Sequence, residues 1–284
     1  MKKMLIPIAL LAALPLYAYA DDSATTPTTT ANDGSWSGSG ELGFAAASGN
    51  SKSQNLNAKL QFKKEDETWK DTFYLTALRS KGEVKTQTID TGTNPPTLVD
   101  SSSYDLTSNR YEAGASMGYK LDERSYIVGA LRYEHDEFSP YTYQWVASIG
   151  YGYTVLKNQS DELSFEIGPG YKRFQPITTF GPDLIGEPPL PVENRFDSEG
   201  EVVARGLMAY KHNFTASTSF IDTFLVEAGN KNTFMQNDAG LQVDMSKKLA
   251  LKLGYQLRHN TDVAFGLKKN DQLLTTNLVY NFGQ

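Results

Sequence analysis

From residue 36 onward, apolar and polar side chains alternate one for one in short stretches. A strand turns successive side chains to opposite faces, so each stretch predicts a strand with one apolar and one polar side. Near the C-terminus Leu249, Leu251, Leu253, Tyr255 and Leu257 interleave with Ala250, Lys252, Gly254, Gln256 and Arg258. After a break, Leu274, Thr276, Leu278, Tyr280 and Phe282 interleave with Leu273, Thr275, Asn277, Val279 and Asn281. Upstream, Leu56/Ala58/Leu60/Phe62 oppose Asn57/Lys59/Gln61/Lys63, and Tyr111/Ala113/Ala115/Met117/Tyr119 oppose Glu112/Gly114/Ser116/Gly118/Lys120.

Twelve strands are predicted, near 36–48, 53–65, 68–80, 104–120, 125–136, 143–155, 162–174, 199–213, 215–227, 233–245, 249–260 and 271–282. Each has the length that a tilted membrane-spanning strand needs, about ten residues. The third and ninth alternate poorly. Gly168-Pro169-Gly170 inside the seventh predicts a bulge or a displaced strand end, because proline cannot donate to a ladder. Connections after even-numbered strands are tight, and those at 81–103 and 175–198 are long, with 261–270 shorter. Short turns at one end and long loops at the other are the asymmetry of an outer-membrane barrel. Ser48-Gly49-Asn50-Ser51 is the exception, short at the long-loop end.

Alternation alone does not say which face points outward, since a soluble lipocalin-like barrel has the same pattern with its apolar face inside. Twelve strands enclose a lumen too wide for side chains to fill as a dry core. The polar faces are rich in charge and glycine, as a wet lumen requires, and aromatic residues gather toward strand ends like interfacial girdles. The expected fold is therefore an all-β, transmembrane, antiparallel up-and-down β-barrel of about twelve strands.

The N-terminus supports that reading. Lys2 and Lys3 precede an apolar run from Leu5 to Leu16, and Ala18-Tyr19-Ala20 is a small-x-small cleavage site. Residues 1–20 read as a signal peptide cleaved near Ala20, 21–35 as a flexible Thr/Pro-rich leader, and 36–284 as the barrel. The run is too short for a spanning helix, and no later apolar run is longer. With no cysteine, there is neither a disulfide framework nor a lipid-attachment site. The formal charge of −6 becomes −8 once Lys2 and Lys3 are removed, which argues against a nucleic-acid partner.

Trp36-x-Gly38-x-Gly40-x-x-Gly43 followed by Ser48-Gly49-Asn50, the central Gly168-Pro169-Gly170-Tyr171, and Lys268-Lys269-Asn270-Asp271 leading to Tyr280-Asn281-Phe282 together resemble the YdiY-like family. Its members carry a domain of unknown function and are labelled salt-induced outer-membrane proteins. The resemblance covers nearly all of 36–282. It implies a Gram-negative outer-membrane barrel, in contact with lipid and lipopolysaccharide and inserted by periplasmic chaperones and the barrel-assembly machinery. It brings no catalytic or ligand residues. Outer-membrane barrels typically end on the aromatic residue that the assembly machinery reads, whereas here Gly283 and Gln284 follow Phe282.

Catalysis would need a nucleophile, a base and an orienting group within reach. His135, beside Glu134 and Asp136 with Ser139 nearby, is the best such constellation, and a solvated rim histidine is its bland alternative. His212 and His259 have no partner suggested by spacing. No nucleotide loop, nucleophile elbow or zinc helix is present, and Asp90, Asp100 and Asp105 lack calcium-loop spacing. No metal or cofactor is expected.

The lumen faces carry the remaining signal. Lys59, Lys63, Arg132, Lys172, Arg205, Lys252 and Arg258 stand against Glu112, Glu134, Glu166 and Asp244 at positions predicted to point inward. Rings of one sign would give strong selectivity; this mixture suggests cross-lumen ion pairs or a narrow pore with mild anion preference. The prolines of 175–198 suggest a stiff surface loop or a constriction at the mouth. The expectation is a narrow, weakly selective channel for small polar solutes or ions, monomeric and not an enzyme. Its alternatives are a closed barrel supporting the envelope under osmotic or salt stress, and a lipid-modifying enzyme using His135.

Overall fold

A computed structural model describes residues 34–48, 52–90, 92, 97–182, 191–194, 196–263 and 268–283. The signal peptide, the leader up to residue 33, the connection at 49–51, Pro95-Pro96, Pro188-Pro189 and Gln284 lie outside the described residues. Fourteen strands are formed: β1 Trp36–Ala47, β2 Ser53–Glu65, β3 Trp69–Asp90, β4 Thr97–Lys120, β5 Ser125–Asp136, β6 Tyr141–Lys157, β7 Asp161–Pro176, β8 Thr179–Pro182, β9 Pro191–Asn194, β10 Glu199–Asn213, β11 Thr218–Gly229, β12 Thr233–Asp244, β13 Leu249–Asn260 and β14 Asn270–Phe282. Twelve of them close a barrel in the order β1-β14-β13-β12-β11-β10-β7-β6-β5-β4-β3-β2, every pair antiparallel, while β8 and β9 pair only with each other.

The seam is the pairing of the first strand with the last, Gly38↔Phe282 through Leu42↔Leu278. It leaves no free edge, the condition for a sheet to sit in hydrocarbon where no water can satisfy a lone backbone group. The Phe282 ring packs edge-on against outward-facing Phe62, 5.6 Å between centroids. Gly283 then takes a φ of +71°, a conformation open to glycine, and turns the chain out of the ladder.

Four expectations are corrected. The stretch 81–103 is not a plain loop: β3 and β4 continue as a paired hairpin up to Asp90↔Thr97, after a bulge between Ser80 and Lys81. Its Thr and Val residues have high strand propensity and pair across the extension, as in Thr88↔Val99. The Pro-rich 175–198 stretch contains the β8–β9 hairpin. The ninth predicted strand starts three residues late because Phe214–Ser217 is a turn, closed by Phe214 N–H to Thr218 O at 2.9 Å. Pro169 causes no slip, since Ser148↔Gly170 and Tyr151↔Ile167 share one register on either side of it. Two glycines absorb it: a Cβ on Gly150 would lie 2.7 Å from the Ile167 carbonyl, and one on Gly168 would strike the Ile149 carbonyl.

The outer wall is apolar and bare of protein contacts, with Ile167 and Leu274 each 70% exposed. Such a continuous apolar surface is stable only against lipid. Tyr111 and Tyr119, eight residues apart on the outer face of β4, mark the two aromatic girdles, roughly 20 Å of tilted strand. At the tight-turn end Trp69 packs on Tyr119 at 5.3 Å, and at the other end Trp145 packs on Tyr171 at 5.9 Å.

Two tight turns are held by carboxylates. Asp66 accepts the backbone N–H of Trp69 at 2.7 Å and of Thr68 at 2.8 Å. Asp122 accepts the Ser125 hydroxyl, together with the N–H groups of Arg124 at 2.7 Å and Ser125 at 2.8 Å. These donors hold both carboxyls below their ordinary range, the Trp69 N–H contributing most at Asp66 and the Ser125 hydroxyl at Asp122.

Two outcomes follow. Ile149→Arg, midway between Trp145 and Tyr153 on the lipid face, lowers folding stability in vesicles by about 2–4 kcal/mol, read from denaturant titration; Ile149→Leu leaves it unchanged. A carboxyl depressed on folding contributes stability above its unfolded pKa and loses it as pH falls through the folded value. The stability gap between wild type and Asp66→Ala/Asp122→Ala is therefore full above about pH 4–5 and shrinks below it.

Candidate functional site

β5 and β13 are six places apart in the ring of twelve, on opposite walls of the barrel. Their inward parity puts Arg132, Glu134 and Asp136 on one wall and Gln256 and Arg258 on the other. The two sets meet. Arg258 donates Nη2 to Glu134 at 2.5 Å and Nη1 to Asp136 at 3.2 Å. Arg132 donates Nη1 to Glu134 at 2.7 Å and forks onto Glu227 of β11, with Nε at 3.0 Å and Nη2 on the second oxygen. The Phe234 ring of β12 lies 4.9 Å from both guanidinium carbons. The lumen is thus bridged along a full diameter by direct side-chain contacts.

A second bridge lies beside it. Arg110 of β4 donates to Gln256 at 2.5 Å, and Gln256 donates to Asp238 of β12 at 2.6 Å. The Tyr74 hydroxyl donates to Glu112 at 2.5 Å. Its ring covers Gly114, where a Cβ would overlap it. Glu227, Glu134, Arg258 and Arg132 are 0%, 1%, 4% and 6% exposed, so this layer excludes water almost as a protein core does. Charges that deep are tolerated only when paired and hydrogen-bonded: Glu134, Asp136 and Glu227 are held by guanidiniums, Glu112 by the Tyr74 hydroxyl, and the less buried Asp238 by the amides of Gln256 and Gln236.

The other predicted lumen residues lie outside this layer. Lys172 is fully buried, its Nζ 4.9 Å from the Tyr141 ring, 5.3 Å from the Phe174 ring and 4.0 Å from Glu201. Arg205 pairs with Glu166 at 3.0 Å, and Glu166 accepts the Tyr126 hydroxyl at 3.1 Å. Lys252 donates to Glu41 at 2.9 Å. Asp244 is exposed at the tight-turn rim and accepts from Gln242 at 2.9 Å. Lys59 is half-buried and Lys63 exposed, and neither makes a hydrogen bond or a carboxylate contact within 4.0 Å among the described residues.

Sequence reasoning missed Glu41, Arg110, Glu227, Phe234 and Gln256's role as a bridge. Parity places Glu227 inward, but the ninth strand's boundary was misjudged and its poor alternation hid that parity. The constellation around His135 does not assemble. Its ring stacks on outward-facing Tyr111 at 4.7 Å, with Nε2 3.9 Å from Glu137, while Glu134 and Asp136 point to the other side of the wall. Period-two alternation separates the residues that sequence proximity joined.

Removing one partner of the diametral pair should be costly. Arg258→Met lowers stability by about 3–5 kcal/mol in vesicle unfolding, and adding Asp136→Asn recovers part of it, because Asp136 loses its guanidinium partner whereas Glu134 keeps Arg132.

Among known proteins, a protein from Escherichia coli (strain K12) described as uncharacterized protein YdiY is 25% identical over 251 residues, covering 87% of this chain and 84% of that protein. Solved structures with a similar outline include the translocator domain of the autotransporter NalP from Neisseria meningitidis, 10% identical, covering 88% of this chain and 89% of that one, TM-score 0.49. The COG4313 outer-membrane channel from Pseudomonas putida F1 is 11% identical, covering 88% of this chain and 96% of that one, TM-score 0.43. Residues 40–282, almost the whole barrel, match a family described only as a protein of unknown function, and the chain belongs to that family, DUF481.

Proposed function

We propose that this chain is an outer-membrane passage for small polar solutes or ions, narrow and weakly selective, whose lumen is latched by the diametral ion-pair layer. The observation that carries the reading is the contrast along the axis. Lys63 and Lys211, inward-facing near the tight-turn end, are exposed, whereas Arg132, Glu134 and Arg258 further along are dry. A wet vestibule that meets a polar constriction suits conduction better than a uniformly packed core would. The constriction is built of guanidinium–carboxylate contacts, which rearrange among several carboxylates without exposing apolar surface.

Delivery fits the same reading. The N-terminal signal grammar supports cleavage near Ala20 and export, and the lipid-facing wall supports residence in the outer membrane of a Gram-negative cell as a monomer. Periplasmic chaperones, the barrel-assembly machinery and lipopolysaccharide are then its partners. A second reading, a closed barrel that braces the envelope under osmotic or salt stress, draws on the same layer: the hydrogen bonds that Arg258, Arg132 and Arg110 make across the lumen also stiffen a wall.

Planar-bilayer recording separates the two. Wild type gives small discrete conductance steps, and Arg132→Ala/Arg258→Ala gives steps several-fold larger. Silence of both folded proteins would overturn the passage and leave the brace.

A further inference from the structure

Cations in this lumen fall into two populations. In the diametral layer and just around it, Arg132, Arg258, Arg205 and Lys252 contact carboxylates within 3.2 Å, Arg110 holds Gln256, and Lys172 lies under two aromatic rings 4.0 Å from Glu201. Nearer the tight-turn end, Lys59 and Lys63 of β2, Lys70 of β3 and Lys211 of β10 are not matched. None has a carboxylate within 4.0 Å among the described residues, and the Lys70 ammonium lies 5.2 Å from the centre of the Tyr126 ring.

All four are on the inward parity. Lys59 faces Glu41 and Thr76 in register, Lys63 faces Ser37 and Thr72, Lys70 faces Glu65 and Gly118, and Lys211 faces Glu162 and Ile221, yet none of these carboxylates comes within 4.0 Å of its lysine. β2 and β10 are six strands apart, so Lys63 and Lys211 approach from opposite walls. Besides its partial removal from water, Lys63 lies close enough to feel Lys59, Lys70 and Lys211 as like charges and Glu162 as an opposing one. With the carboxylates opposite them counted, Lys59, Lys63, Lys70 and Lys211 and their neighbours Lys252 and Lys120 face Glu41, Glu65 and Glu162, an excess of three positive charges on one aqueous vestibule. Lys157, 3.5 Å from the Glu65 that Lys120 already holds at 2.9 Å, adds a further cation at the same end.

We propose that this vestibule is a binding site for compact multivalent anions of the phosphate class. Ammonium groups on flexible stems act as point charges that close round a tetrahedral oxyanion from several sides, whereas planar carboxylates are matched by the arginine fork. Every lumen arginine described above already contacts a carboxylate or Gln256. The vestibule offers four lysines and no free fork. The walls separate these lysines from the bilayer, so the ligand is a free anion rather than a lipid headgroup. This inference rests on the wet vestibule of the passage reading but not on ion flow, so a barrel that never conducts would still bind.

The test is calorimetric titration of the full folded chain, in zwitterionic detergent at low salt, with sodium pyrophosphate. Saturable binding is expected, weakening as salt rises because the contacts are exposed charges. Lys63→Gln/Lys211→Gln weakens it about tenfold or more, the scale of two lost charge contacts. Lys63→Arg/Lys211→Arg keeps the charges and retains most of it. Lys247→Gln/Lys248→Gln, in the turn after β12 at the same end, removes the same net charge outside the lumen and leaves binding unchanged. Absence of saturable binding by wild type, equal weakening by the turn variant, or equally tight binding of citrate would each overturn the proposal.

Discussion

Every backbone N–H and C=O that enters hydrocarbon must find its partner within the chain, and this one constraint organises the molecule. A sheet meets it only by closing, so the pairing of Gly38–Leu42 with Leu278–Phe282 is what makes the other eleven interfaces usable in a membrane. Closure fixes the rest by geometry. Once the sheet is a cylinder, alternation along each strand becomes a division between lipid and lumen, and each charge on the polar face is committed to the interior.

That commitment explains why so much of the lumen is ion pairs. A charge pointing inward from one wall has two ways to lower its energy, through water or through an opposite charge. Near the tight-turn end water reaches Lys63 and Lys211. Around β5, β11 and β13 the walls are close enough for Arg132, Glu134, Glu227 and Arg258 to reach each other, and they dehydrate together. Phe234, wholly buried between the two guanidiniums, supplies the apolar floor that keeps the contact dry. The same chemical population thus becomes a latch at one level and a charged vestibule at another, according to local width.

Particular residues show how far pattern reading extends. Leu56 to Phe62 and Tyr111 to Tyr119 assigned their strands and faces correctly because period two survives in them unbroken. The β3–β4 extension was lost because Thr and Ser serve both strands and loops, and only the cross-strand partner decides between them. Pro169 was overread: whether a missing N–H distorts a ladder depends on what faces it, and here Gly150 and Gly168 let the backbones close in. His135, Glu134 and Asp136 were one cluster in sequence and two sides of a wall in space.

The chain by itself determined the number of barrel strands and most of their faces, because those follow from local alternation and strand length, and it pointed to Arg132, Glu134 and Arg258 but not to Glu41, Arg110 or Glu227. It could not determine which charges meet. Glu134 and Arg258 are 124 residues apart, and their contact depends on the register of every strand between them and on the closure that sets them diametrically opposite. Pairing across a lumen is a property of the closed cylinder, absent from any strand or hairpin, so only the tertiary structure could separate the latched cations from the unmatched ones.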